Sequence, residues 1–153
     1  MPDPLTARQR SVLMSRIRSK DTRPEMAVRR LVHGMGYRYR LHAKELPGRP
    51  DLVFRPRRKV IFVHGCFWHR HAGCPADRLP GTRREYWREK LNGNVRRDRR
   101  NVLALTDMGW KVLVIWECET KKLDRVSETV RAFLDDTDTV EPPSGGTGGV
   151  HRA

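Results

Sequence analysis

The chain has 153 residues, a length that fits one domain with a real core of its own. Its 32 Lys and Arg against 18 Asp and Glu give a net charge of +14 and a pI near 10.8, the electrostatic footprint of a nucleic-acid partner. No apolar run approaches the roughly 18 residues of a membrane span, so none is expected.

The opening MPDPLTARQR lacks the apolar segment of a signal peptide, so a reducing cytoplasm is the expected compartment. Three cysteines there point to metal or buried thiols rather than to a disulfide framework. Basic residues recur along the body, at Arg16–Lys20, Arg55–Lys59, Arg83–Arg88 and Arg96–Arg100. A distributed basic surface suits a phosphate backbone, although ribosomal proteins carry similar solvated basic faces.

In chain order, a basic segment from about Thr6 to Ser19 carries a weak apolar face of Val12, Met14 and Ile17 and is predicted helical. A second helix starts at Thr22-Arg23-Pro24-Glu25, which has the form of a capping box with proline tolerated in the first turn. Met26, Val28, Leu31 and Val32 form its apolar stripe, and Gly34 and Gly36 end it. Tyr37–Leu41 is a candidate strand. The turn Leu46-Pro-Gly-Arg-Pro50 leads into a short strand, Asp51–Phe54.

After the basic turn Arg55–Lys59, Val60–Val63 is apolar at every position, as in a strand buried on both faces, and the two strands read as a hairpin. His64 to Gly81 is an irregular loop rich in His, Cys, Gly and Pro. A helical pattern from Thr82 to about Asp107 is expected to break at Gly93, with Val95, Val102, Leu103 and Leu105 facing inward. Lys111–Trp116 is a further apolar strand, with Trp110 and Trp116 assigned to the core. A helix with Val126, Val130, Phe133 and Leu134 follows. The order β, β, α, β is that of an α/β sandwich with a mixed sheet. From residue 137 the composition shifts to a Pro/Gly-rich tail, so 1–136 is read as the domain and 137–153 as a flexible tail.

Cys66, His71, Cys74 and Cys118 make a Cys₃His set, three from one loop and one after the last strand. That is the donor set of a closed, tetrahedral zinc site that would pin the loop to the sheet. The competing reading is three ordinary buried cysteines and a surface histidine.

In a hairpin the start of one strand and the end of the next are neighbours, so Asp51, Val63 and His64 should converge, with His69 a few residues on. A carboxylate plus a backbone carbonyl is a partial shell for Mg²⁺, and a neutral histidine can take a proton from an attacking water. Phosphodiester hydrolysis fits this set; so does a His69 that is a spare zinc ligand. Phe67 and Trp68 are either an exposed pair able to stack on bases, or a pair of which one packs under the loop. Trp87 is a further candidate for stacking.

The strings Leu46-Pro-Gly-Arg-Pro-Asp51, Val-Ile-Phe-Val-His64-Gly-Cys-Phe-Trp-His69, Asn94-Val-Arg-Arg-Asp98, Gly109-Trp-Lys-Val-Leu and Trp116-Glu-Cys118 together resemble the very short patch repair (Vsr-type) mismatch endonucleases over about residues 6–135. The resemblance implies a three-layer α/β/α, restriction-endonuclease-like fold with one structural zinc. It implies a Mg²⁺-dependent bacterial enzyme, associated with the nucleoid and expected to be a monomer. Such an enzyme nicks the thymine strand 5′ of a T·G mismatch, the product of 5-methylcytosine deamination, in double-stranded DNA and so starts very short patch repair.

Residue by residue, the resemblance makes Asp51 a Mg²⁺ ligand, with Val63 offering its carbonyl. It makes His69 the general base and His64 a support of the same site. Glu25 and Asp98 help hold the hydrated ion or its surroundings. Phe67, Trp68 and Trp87 enter the base stack from the major groove and Met14 from the minor groove, and Cys66, His71, Cys74 and Cys118 bind zinc. A MutL-type repair protein is an implied partner. The second carboxylate and lysine of a PD-(D/E)xK site are missing after Val60–Val63, and in this family His69 takes the lysine-like role. The alternatives are another PD-(D/E)xK-like DNA nuclease and a non-catalytic zinc-containing DNA-binding module.

Overall fold

The computed structural model describes residues 21–136. The basic segment 6–19 with Met14, and the tail from residue 137, lie outside the described residues.

Helix α1, Arg23–Gly34, begins where the Thr22 side chain accepts the Glu25 N–H at 3.4 Å. Glu25 completes the cap one residue further back than expected, accepting the Asp21 N–H at 3.2 Å. Val28 and Val32, one turn apart, are its fully buried stripe. Strand β1 is only Arg40–Leu41, shorter than the expected 37–41. Tyr37 and Tyr39 are used differently: their hydroxyls donate to Asp135 Oδ1 (2.7 Å) and to the Arg29 carbonyl (2.9 Å), tying the segment to the helices rather than to a ladder.

Strands β2 (Leu52–Phe54) and β3 (Lys59–His64) form the expected antiparallel hairpin, with Leu52 opposite Ile61. Between them Arg55–Arg57 makes one 3₁₀ turn, and Arg58 takes a left-handed conformation at φ 53°. Helix α2, Arg84–Asp107, runs 24 residues without a break at Gly93. A helix-interior glycine costs only about 1 kcal/mol, and buried Leu91, Asn94 and Leu105 on either side of it hold the helix together. Leu103, expected inside, is 65% exposed and lies on the outer face. Strand β4, Lys111–Trp116, pairs parallel with β3 in register from Lys59–Lys111 to His64–Trp116. Helix α3, Leu123–Asp135, follows a 3₁₀ segment, Glu117–Lys121.

The result is a mixed four-stranded sheet in the order β1-β2-β3-β4 with three helices among the described residues. Alternate strand residues face opposite ways, and both faces are covered. Val53, Val60, Phe62, Val112, Val114 and Trp116 pack with Leu105 of α2 and with Trp110. Leu52, Phe54, Ile61, Leu113 and Ile115 pack with Val28 and Val32 of α1 and Val126, Val130 and Leu134 of α3. Trp110 and Trp116 are core, as expected.

At one end of the sheet Lys59, 3% exposed, caps the C-terminus of α3. Its Nζ donates to the carbonyls of Phe133 (2.6 Å), Leu134 (3.3 Å) and Asp136 (2.8 Å). Burial lowers its pKa. The candidate site residues gather at the other end. No described helix is long and apolar enough to cross a membrane.

Candidate active site

Asp51 sits one residue before β2, and its carboxylate reaches across the hairpin. Oδ2 accepts the Val63 N–H at 2.7 Å, so the start of β2 and the end of β3 converge as the hairpin requires. The preceding turn is set by Gly48, whose φ of +76° suits glycine. A Cβ there would lie 2.9 Å from the Asn101 side chain of α2, so only glycine lets the Pro47–Pro50 turn dock on that helix.

Glu25 of α1, 2% exposed, is the second carboxylate. Asp51 is half-buried. Its burial, together with the charge and hydrogen bonding of Glu25, pushes its carboxyl up to about 8 against the opposing pull of the Val63 N–H. Two carboxyls so placed favour a cation between or beside them.

On the other side stand two histidines. His64, buried at the end of β3, stacks on His69 with centroids 3.8 Å apart and planes within 6°. His69 Nδ1 lies 2.6 Å from Asp98 Oδ2 of α2. With Nδ1–H donating to that carboxylate, Nε2 is the nitrogen left to accept a proton, the arrangement of a general base held in one tautomer.

His71 keeps different company. Its Nδ1 is 3.7 Å from Cys66 Sγ and 3.4 Å from Cys118 Sγ, and the donor atoms of Cys66, His71, Cys74 and Cys118 all lie within 4.8 Å of one another. Donors about 2.3 Å (Cys) and 2.0–2.1 Å (His) from one tetrahedral ion stand about 3.6 Å apart, so donor set and spacing both fit a possible zinc site. Burial pushes the Cys66 thiol up to about 12 and raises that of Cys118. Only a bound cation would make these thiolates at neutral pH. The His71 ring stacks on Trp116 at 4.3 Å, which fixes its plane.

The aromatics of the loop do not stand free. Phe67, Trp68 and Trp87 form a three-ring cluster, with centroids 5.0 Å (Phe67–Trp68), 5.7 Å (Phe67–Trp87) and 6.0 Å (Trp68–Trp87) apart. Trp87 is 7% exposed and lies beneath the two half-buried rings, so it is not an exposed stacking surface in the free chain. Asn94, 5% exposed, donates from Nδ2 to the Trp68 carbonyl at 3.0 Å and ties this loop to α2.

Asp51, Glu25, Val63, His64, His69, Asp98, Phe67 and Trp68 all line one cleft of about 980 Å³, together with Arg49, Arg97 and Lys44. None of the four Cys₃His residues lines it. Three further lining residues, His42, Asn94 and Asn101, carry no role in the sequence pattern. Asn94 and Asn101 sit on the same helix as Asp98, at i−4 and i+3, which is the one signal that could have found them. His42 carried no local signal, since its partner is 17 residues away.

A family model described as DNA mismatch endonuclease Vsr matches residues 2–74, a span that holds Glu25, Asp51, His64 and His69. The type II nicking enzyme V.XorIIP of Xanthomonas oryzae is 51% identical over 135 residues, covering 88% of this chain and 98% of that one. The DNA mismatch endonuclease Vsr of Escherichia coli is 43% identical over 119 residues, 78% of this chain and 76% of its own. The chain belongs to the Vsr family. The type II nicking enzyme V.NmeAIP of Neisseria meningitidis is 39% identical over 139 residues, 88% and 99% of the two chains. This Vsr-family chain is thus a DNA nicking endonuclease, with DNA as substrate. The basic surface has its explanation in that substrate.

Proposed function

We propose that this enzyme nicks the thymine strand on the 5′ side of a T·G mismatch in duplex DNA and so initiates short-patch repair of deaminated 5-methylcytosine. The observation that carries this reading is the shared cleft: an oriented histidine–carboxylate pair, a hairpin carboxylate and an aromatic cluster lie side by side.

Asp51 and the Val63 carbonyl bind Mg²⁺, a cation that prefers oxygen donors, with Glu25 nearby. Bound there, the ion supplies charge stabilisation to the phosphoryl oxygens. His69, held by Asp98 at Nδ1, accepts at Nε2 the proton of the attacking water, and stacked His64 fixes the plane of its ring. Cys66, His71, Cys74 and Cys118 hold a structural Zn²⁺ that keeps the loop in register. The sheet with helices on both faces supports a restriction-endonuclease-like α/β/α core.

Phe67, Trp68 and Trp87 account for mismatch preference. Entering a base step exchanges their ring–ring contacts for ring–base contacts and unstacks the step, at a cost of roughly a few kcal/mol. A T·G wobble pair is weaker than a matched pair and already displaced in its grooves, which offsets part of that cost. A sequence-directed nickase on the same fold is the competing reading, favoured by relatives whose names are type II nicking enzymes.

Matched duplexes that differ only in T·G against T·A separate the two. Nicking of the T strand in T·G alone is expected; equal cutting of both duplexes would overturn mismatch recognition. Trp68→Ala should lower the T·G preference more than general DNA affinity.

A further inference from the structure

The cleft holds a second histidine–carboxylate pair, on the wall opposite His69 and Asp98. His42 Nε2 lies 2.9 Å from Glu25 Oε2. His42 follows β1, whose last residue Leu41 pairs with Leu52, so it falls opposite Asp51 across the ladder. Its main-chain N–H donates to the Asp51 carbonyl at 3.3 Å. One residue therefore touches both carboxylate-bearing positions, the side chain of one and the backbone of the other.

The backbone conformation of His42 is unusual. Its φ is +47°, a left-handed value that non-glycine residues seldom adopt and that costs of order 1–3 kcal/mol. Ending the short strand there brings the imidazole to Glu25. Asp21, Glu25 and His42 have donor atoms within 4.8 Å of one another, as in a metal cage. Arg29 already occupies it: Nη1 is 2.6 Å from Asp21 Oδ1 and 3.3 Å from Glu25 Oε2. The cluster is thus a clamp on Glu25, whose two oxygens are met by the Asp21 N–H on one side and by Arg29 and His42 on the other.

We infer that His42 is a positioning residue for the nicking reaction: its Nε2–H holds the Glu25 carboxylate at a fixed place beside Asp51, and so sets the affinity of the cleft for Mg²⁺. The inference rests on the Mg²⁺ reading of Asp51 given above. It reverses the logic of the other wall. At His69 the imidazole does the chemistry and Asp98 orients it; at Glu25 the carboxylate acts on the ion and the imidazole orients it.

The test is single-turnover nicking by the full chain, across a Mg²⁺ titration, on the duplex the wild type cuts best. His42→Ala should raise the Mg²⁺ concentration at half-maximal rate by about tenfold, the usual effect of losing a group that orients a ligand. Metal-free DNA affinity should stay the same. His42→Gln, whose amide can still donate to Glu25, should return the midpoint to within about twofold of wild type. In a Glu25→Gln background His42→Ala should add little, because the two act through one contact. An unchanged midpoint in His42→Ala overturns the assignment, as do equal losses in the Ala and Gln variants or full additivity with Glu25→Gln. Asp51→Asn run alongside separates the two readings. If it nicks normally, the Mg²⁺ site itself is wrong; if it is dead while His42→Ala titrates like wild type, only the role of His42 falls.

Discussion

Residues 52–64 and residues 65–83 meet beside His64, yet different forces hold them. In the hairpin almost every strand side chain is buried, and neighbouring strands and helices pack on both of its faces. In the loop Cys66 alone is buried among residues 65–83. Its rigidity comes from specific ties instead: the Cys₃His cluster, Asn94 on the Trp68 carbonyl, and Arg70. The Arg70 guanidinium donates to Asp77 (3.1 Å) and to Asn92 of α2 (2.9 Å). Half of the candidate site is thus placed by apolar burial and half by the Cys₃His cluster and hydrogen bonds. A shared cleft can be built from parts with separate stabilities.

The largest expected effect is on chemistry. Asp51→Asn keeps an acceptor for the Val63 N–H but removes the charge, so nicking should fall by on the order of 10³-fold. The melting temperature at neutral pH should hold or rise slightly, because a buried carboxyl whose ionisation folding opposes, first through burial and then through Glu25, is replaced by a neutral amide. A large drop in melting temperature would show that this carboxylate belongs to the packing of the hairpin after all.

Chelation, aimed at the metal proposed for the Cys₃His cluster, comes next. Nicking should fall by about 10²-fold and the tryptophan fluorescence of Trp68 and Trp87 should change, while far-ultraviolet circular dichroism keeps its helical signal. Parallel loss of the whole circular dichroism signal would mean that the two regions are one cooperative unit.

The converse experiment acts on the hairpin. Ile61→Ala removes a fully buried side chain and should cost about 3 kcal/mol of stability, read as a shifted denaturation midpoint, with metal content per chain unchanged. Asn94→Ala should have the smallest effect, within about tenfold in nicking rate, because it loosens one of several ties on the loop. If it matches the loss on chelation, the amide rather than the metal is the main fastening.

Much of this was legible in the sequence, and the reason differs by region. Val60–Val63 and Val112–Trp116 are continuous apolar runs, a direct signature of strands covered on both faces, and the hairpin then brought Asp51 to Val63 by topology alone. The division between His69 and His71 was open at the level of residues. Spacing along a loop does not say which imidazole turns to Asp98 and which to the cysteines; the resemblance implies the division, and the geometry sets His69 against Asp98 and His71 against the cysteines.

The errors arise where tertiary packing overrides a local rule. Gly93 does not break α2, because Leu91 and Asn94 are buried beside it. His42 was invisible because a polar residue after a two-residue strand has no periodicity to betray it.

The cap that Lys59 places on α3 also bears on how this enzyme can be handled. Lys59 and His64 are the two ends of β3, about 16 Å apart at roughly 3.3 Å per residue. Its ammonium grips the carbonyls of Phe133, Leu134 and Asp136 at the end remote from the cleft. A domain or surface tether fused just after Asp136 would therefore begin at the end of the sheet remote from the cleft, leaving the cleft clear for immobilised or tethered nicking.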